Sequence, residues 1–143
     1  MATGLSIKEI VEVQNSAPNI VELAPALGID LDGTIDEAPE FFHFLTHHWP
    51  GKVYVITYRS DRERAREDVE RYRIRYDGLV LVSAFAEKAV KIRELGIAVY
   101  FDDQDEVLQH IPEGVTVLKV RNGGNFDFED RKWLYSRQTG QEI

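Results

Sequence analysis

Hydrophobic residues along the chain fall into short, nearly continuous runs, separated by longer segments in which apolar residues recur every three or four positions. Continuous runs rich in Val, Ile, Leu and Tyr are typical of strands buried on both faces of a parallel sheet. The intervening segments have the spacing of amphipathic helices. The pattern predicts strands over 26–31, 53–57, 79–82, 98–101 and 115–120, with helices over 39–48, 61–72, 86–95 and 105–110.

The regular alternation of strand and helix predicts an α/β fold, a Rossmann-like three-layer sandwich with a central, mainly parallel sheet. The length of 143 residues suits one domain. We therefore predict a single domain over 1–143, with a helical N-terminal extension over 1–25 and a C-terminal tail over 121–143 that packs on the core. Ser60 and Glu63 have the spacing of a capping box, which predicts that a helix begins there.

Composition narrows the possible partners. The formal net charge of −8 argues against general nucleic-acid binding and against an anionic membrane surface. The chain has no cysteine, so disulfides and thiolate metal sites are excluded. No apolar run approaches membrane-spanning length, and the first residues do not resemble a secretory signal. We expect no membrane association and a cytoplasmic location.

Polar residues that can carry chemistry follow several of the predicted strands. Ligands of open parallel sheets bind beyond the carboxyl ends of the strands. Asp30 and Asp32 end the first strand, and two such close carboxylates repel each other unless a cation neutralises them. Mg²⁺ takes oxygen ligands of this kind, and Gly33 lets the backbone turn sharply beside them. The other strand ends contribute Thr57, Tyr58, Arg59, Asp102 and Asp103, and Lys88 lies near the start of the helix after the third strand.

Taken in order along the chain, these residues resemble the motifs of the haloacid dehalogenase-like superfamily of phosphohydrolases. The motifs are Asp30-x-Asp32-Gly33-Thr34, then Thr57, Lys88 and Asp102-Asp103. The resemblance implies a Mg²⁺-dependent phosphomonoester hydrolase that acts through an aspartyl-phosphate on Asp30, with Asp32 as general acid and base. The Thr57-Tyr58-Arg59 segment is similar to nucleotidase-like and polynucleotide-phosphatase-like members.

The resemblance also implies the remaining roles. Thr57 hydrogen-bonds the phosphoryl oxygens and Lys88 neutralises their charge. Mg²⁺ is held by the Asp30 carboxylate, the Asp32 carbonyl and Asp103, with Asp102 in support. The sequence leaves open which of the last two acids binds the metal directly. The implied substrate-binding residues are Gly33, Thr34, Tyr58 and Arg59.

The intervals between these motifs are too short for the cap domain that often covers such a site. A capless site suits a macromolecular phosphorylated end, or a small phosphorylated molecule covered by a lid from a neighbouring subunit of a homo-oligomer. Two alternative functions are a non-catalytic module that binds phosphate and Mg²⁺, and a phosphotransferase of the same fold.

Other residues have competing interpretations. Lys91 lies one helical turn after Lys88 and competes for its role. His43 and His47 have the spacing of a metal pair on a helix, but without further ligands we interpret them as a helix face. Two acids, Asp105 and Glu106, either hold a metal-bound water or are ordinary residues of a first helical turn.

Overall fold

The computed structural model describes residues 24–134. Five parallel strands form a central sheet in the order β3-β2-β1-β4-β5. The strands are β1 (Ala26–Ile29), β2 (Val53–Thr57), β3 (Gly78–Leu81), β4 (Ile97–Asp102) and β5 (Thr116–Lys119), and the helices are α1 (Pro39–His48), α2 (Arg62–Arg71), α3 (Phe85–Glu94) and α4 (Asp105–Leu108). This arrangement confirms the predicted α/β class with a Rossmann-like parallel sheet.

Two hydrophobic cores lie on opposite faces of the sheet. Alternate residues of a strand point to opposite faces, so Val55 of β2 joins one core and Ile56 the other. The first core contains Phe42 of α1 and Val69 of α2. The second contains Ile92 of α3, together with residues of β4 and α4. The helices thus cover both faces, which gives the three layers.

The centre of the sheet determines where the polar strand ends meet. Strand β1 lies between β2 and β4, and Ile29 is in register with Val55 on one side and Phe101 on the other. The predicted strand continued to residue 31, but β1 ends two residues earlier. A single irregular turn over Leu31–Ile35 follows Asp30, because Gly33 adopts a φ of +80° that a strand cannot hold.

Helix α2 begins one residue later than the capping-box spacing predicts. Asp61 caps it, and its Oδ1 accepts a hydrogen bond of 3.1 Å from the amide of Arg64. An aspartate caps a helix as well as a serine does, so neighbouring Ser60 and Asp61 compete for the position. The prediction that Ser60 caps the helix is wrong.

The segment after β5 contains a small hairpin that the hydrophobic pattern did not predict. It pairs β6 (Phe126–Asp127) with β7 (Lys132–Trp133), strands too short to show a period. Residues 1–23 of the predicted N-terminal extension and residues 135–143 of the predicted tail lie outside the described residues.

Residues 24–134 contain no cap domain, since one helix spans each of the intervals β1–β2 and β2–β3. Within the same residues, no helix has both the length and the apolar character needed to cross a membrane.

Candidate metal and phosphate site

Three buried carboxylates meet where β1 and β4 end. Asp30 is 5% exposed, Asp102 0% and Asp103 4%, and one ligand oxygen from each lies within 4.8 Å of the others. The strands bring them together because neighbouring parallel strands end at the same edge of the sheet. The backbone amide of Asp30 also donates to the carbonyl of Phe101 at 2.9 Å, which fixes β1 against β4 at this point.

Lys88 of α3 supplies a buried cation to this cluster. Its Nζ donates to Asp30 Oδ1 at 2.6 Å and to Asp102 Oδ2 at 3.0 Å. Burial alone lowers the pKa of Lys88, but the charges of Asp30 and Asp102 outweigh burial and raise it, so the ammonium stays charged. Lys91, the competing lysine, pairs with Glu94 outside the cluster.

Asp102 uses both of its oxygens within the protein. In addition to Lys88, Oδ2 accepts from the Tyr100 hydroxyl at 2.6 Å. Oδ1 accepts from the amides of Asp103 at 2.8 Å and Gln104 at 3.0 Å. Burial and the charge of Asp102 raise the pKa of Tyr100, which keeps its hydroxyl protonated as a donor. Four hydrogen bonds make Asp102 an anchor for the site and leave it poorly suited to bind a ligand.

Asp103 is less constrained by hydrogen bonds. Its Oδ2 accepts from Asn122 Nδ2 at 3.0 Å, and its Oδ1 lies 3.5 Å from the Thr34 hydroxyl. That hydroxyl also donates to Asp30 Oδ2 at 3.1 Å. Thr34, predicted as a substrate-binding residue, therefore joins the acids of β1 and β4.

The cluster carries more negative charge than its lysine can balance. Burial, then repulsion from Asp102, raise the pKa of Asp30 well above its ordinary value, although Lys88 works against this. Burial and Asp102 likewise raise the pKa of Asp103 to about 6. Carboxylate oxygens with unbalanced charge are the ligands that Mg²⁺ prefers. The donor set thus fits a divalent cation.

Gly33 lets the turn over Leu31–Ile35 press against Asp103. Its φ is +80°, and a Cβ built there would overlap the Asp103 carboxylate and crowd the amide of Asn122. Only glycine tolerates both the positive φ and the lack of space for a Cβ. This close approach explains the glycine at the position, and the role of Gly33 as a substrate contact stays a prediction.

Two asparagines after β5 complete the site and were not among the predicted site residues. Asn122 Nδ2 donates to the carbonyl of Gly33 at 2.9 Å as well as to Asp103. Asn125 Nδ2 donates to the carbonyls of Asp103 and Val120, both at 2.8 Å. Both asparagines are buried. The strand-end rule applied to β5 would have found them, since they follow that strand as the other site residues follow theirs.

The Asp32 side chain lies outside the cluster. It is 54% exposed and accepts two hydrogen bonds from Arg59, the one from Nε at 2.8 Å. Arg59 also donates to Asp68 at 2.7 Å. The guanidinium predicted to bind substrate is therefore engaged by two acids.

Thr57 ends β2, the strand that pairs with β1, and Tyr58 directly follows it. Thr57 Oγ1 is fully buried, and within residues 24–134 it is the one such side-chain polar atom without a hydrogen-bond partner. Buried hydroxyls nearly always have a partner, so this one is a candidate donor to a bound group. The Tyr58 side chain is 52% exposed, and its ring centroid lies 5.0 Å from that of Phe85.

The remaining candidates lie away from the three acids. His43 Nδ1 and His47 Nε2 both contact the backbone carbonyl of Arg73, at 2.7 and 2.9 Å. Asp105 pairs with Lys119 at 2.8 Å. Neither Asp105 nor Glu106 belongs to the carboxylate group described above.

Comparison with known proteins gives little. No family model matches the chain, and no curated protein matches it. A solved structure described as a universal stress protein in complex with cAMP is similar to 68% of this chain and 98% of its own, at 7% identity and a TM-score of 0.45. At that identity and TM-score, neither the ligand nor the activity of that protein transfers to this chain.

These findings contradict the resemblance to the haloacid dehalogenase-like superfamily, since the solved structure found is a universal stress protein. The predicted superfamily, its nucleotidase-like and polynucleotide-phosphatase-like branches, the hydrolase class and the phosphomonoesterase activity through phospho-Asp30 are therefore wrong. The phosphotransferase alternative is withdrawn with them.

The physical reason is that acids, hydroxyls and a lysine at one sheet edge define a binding place and not a reaction. The side chain of Asp32 illustrates this. The resemblance makes this carboxylate the general acid, but it pairs with Arg59 near the surface and not with the three buried acids.

Proposed function

We propose that this protein binds Mg²⁺ together with the phosphate group of a small molecule at the carboxyl edge of its sheet. The observation that carries the proposal is a buried cluster of three carboxylates, two of which pair with Lys88, beside the unpaired hydroxyl of Thr57. The proposal concerns binding and includes no bond cleavage.

Asp30 and Asp103 are the residues that would hold the cation. Asp102 is excluded from direct binding because Lys88, Tyr100 and two amides occupy its oxygens. Protein-bound Mg²⁺ commonly has one or two carboxylate ligands and completes its shell with waters and a phosphate oxygen. Bound there, the cation supplies the positive charge that the cluster lacks.

The phosphate would be bound by donors on the β2 and α3 side of the cluster. The Lys88 ammonium and the Thr57 hydroxyl are two such donors. The first turn of α3 adds backbone amides, because its N-cap, Ala84, provides no side-chain acceptor. Free amides at the start of a helix favour anions. A phosphate would also offset the repulsion between Lys88 and the helix dipole.

The ligand is a small molecule in this proposal, because a net charge of −8 disfavours a polyanion. The cluster borders an open cavity of about 330 Å³ lined by Asp32, Gly33 and Asn122. A second copy acting as a lid belongs to the proposal as well, and sedimentation with and without ligand tests it. We expect a mass increase on ligand binding if a lid forms.

Isothermal titration calorimetry tests the proposed function. We expect Mg²⁺ to bind, and inorganic phosphate or a sugar phosphate to bind only in its presence. Asp103→Asn should remove cation binding. Thr57→Val should lower the affinity for phosphate by roughly tenfold, which corresponds to one charge-assisted hydrogen bond. Asp130→Asn, an exposed acid outside the site, is the control. Absence of Mg²⁺ binding, or phosphate binding unchanged by Mg²⁺, would refute the proposal.

A further inference from the structure

A second cavity, of about 640 Å³, opens between the loops that follow β2 and β3. Its lining includes Tyr58, Leu81 and Val82, with Ser83 and Glu87 beside them. The volume lies within the range of small-molecule pockets, about 300–1,000 Å³. The mixture of an apolar wall with a few polar groups is also typical of such pockets.

Tyr58 gives this cavity a flat aromatic wall. Half of the side chain is exposed, at 52%. Its ring is supported by Phe85, with centroids 5.0 Å apart and planes tilted by 32°. A ring held from one side presents its other face to a ligand, and flat aromatic rings stack on such faces.

The cavity adjoins the proposed phosphate site, because two residues that line it are chain neighbours of residues of that site. Tyr58 directly follows Thr57, and Glu87 directly precedes Lys88. A ligand whose phosphate lies at Lys88 and Thr57 can therefore extend its other end along Tyr58.

Charge decides which end of the ligand enters the cavity. The acids Asp61 and Glu87 line it and repel a second phosphate. Arg59 lines it too, but its guanidinium is already engaged by Asp32 and Asp68. The group that enters thus carries no negative charge and, because of Tyr58, is flat.

We infer that the ligand is a phosphorylated small molecule whose uncharged end is an aromatic ring that stacks on Tyr58. The inference rests on the proposed function, which supplies the phosphate end. A nucleoside monophosphate has this chemistry and is the probe we choose. An aryl phosphate shares it and serves as a second probe.

Calorimetry with matched ligands tests the inference. In 10 mM Mg²⁺, AMP should bind about 5- to 150-fold more tightly than ribose 5-phosphate, the range that base stacking gives. Phenyl phosphate should likewise bind more tightly than cyclohexyl phosphate. Tyr58→Ala should abolish both preferences without weakening ribose 5-phosphate, and Tyr58→Phe should keep them. Phe128→Ala, which removes another exposed aromatic side chain, is the control.

The outcomes separate the two proposals. Equal affinity of the wild-type protein for AMP and ribose 5-phosphate overturns the aromatic subsite and leaves the proposed function intact. A loss of ribose 5-phosphate affinity in Tyr58→Ala, equal to that of AMP, also overturns it, because the residue would then act on the fold. Binding of neither ligand, or binding that ignores Mg²⁺, refutes the proposed function and the inference together.

Discussion

Replacing Asp103 by asparagine should make the protein more stable without metal and insensitive to Mg²⁺. The substitution removes one charge from the cluster and keeps the shape of the side chain. An amide oxygen can still accept the hydrogen bond that Asn122 donates to Asp103 at 3.0 Å. The principal change is therefore electrostatic.

The magnitude follows from the geometry and from the pKa. Two unit charges about 4.8 Å apart repel by about 3.5 kcal/mol at an effective dielectric constant of 20. Asp103 faces two carboxylates and one ammonium, so about one such repulsion remains. Its pKa of about 6, against an ordinary value of 3.8, corresponds to a similar penalty at neutral pH, about 3 kcal/mol. We expect Asp103→Asn to gain about 1–3 kcal/mol, which raises Tm by roughly 3–10 °C.

Thermal unfolding with and without 10 mM MgCl₂ is the assay. At a Mg²⁺ concentration of about 100 times its Kd, the cation should stabilise the wild-type protein by about 2.7 kcal/mol. Asp103→Asn should show no such gain, and Asp130→Asn should behave as the wild type. Sodium chloride at equal ionic strength controls for screening. If Asp103→Asn is less stable than the wild type, the acid serves the fold and the reasoning fails. An unchanged wild-type Tm in MgCl₂ refutes it equally.

Three further results are expected. Without metal, the wild-type free energy of unfolding should fall as the pH rises from about 4 to about 6, because Asp103, with a folded pKa of about 6, binds its proton more tightly in the folded protein than in the unfolded chain. Thermal melts of Asp103→Asn should lack this decrease, and a pH profile parallel to that of the wild type would contradict the prediction. In urea unfolding, Thr57→Val should leave stability unchanged or raise it by about 1 kcal/mol, because the Thr57 hydroxyl has no partner to lose. The control Thr46→Val should lose about 1–3 kcal/mol, because the Thr46 hydroxyl donates to the Phe42 carbonyl at 2.8 Å, and equal losses would show that the Thr57 hydroxyl has a structural role. Gly33→Ala should lower the free energy of unfolding by at least about 1 kcal/mol more than Gly96→Ala does, because both glycines have positive φ but only Gly33 contacts Asp103. Gly33→Ala should also abolish Mg²⁺ binding in calorimetry, and equal losses of stability in the two variants would exclude the close approach.

The order of the elements could be predicted from the sequence because buried parallel strands carry a strong hydrophobic signal. The observed ends of two elements differ from the predicted ones, because a nearby residue favours a different end. β1 stops before the turn that Gly33 permits, and Asp61 replaces Ser60 as the cap of α2. The hairpin of β6 and β7 has two residues in each strand, too few for any period.

The candidate site was predictable at the level of strand ends. Asp30, Thr57, Lys88 and the acids of β4 were named because a parallel sheet gathers its strand ends at one edge. Side-chain partners were not predictable, since the pairing of Asp32 with Arg59 depends on rotamers that the sequence does not specify. The reaction was not predictable either, because one edge of this fold serves many functions.

The two cores on opposite faces of the sheet have a consequence for how binding and folding are linked. The turn carrying Thr34 packs with the first core through Leu31 and Ile35, whereas Lys88 belongs to α3, which covers the second. The binding site therefore exists only when both layers are assembled. A bound ligand should act as a staple between them and slow amide hydrogen exchange in α1 and in α3 together, although those helices lie on opposite sides of the molecule.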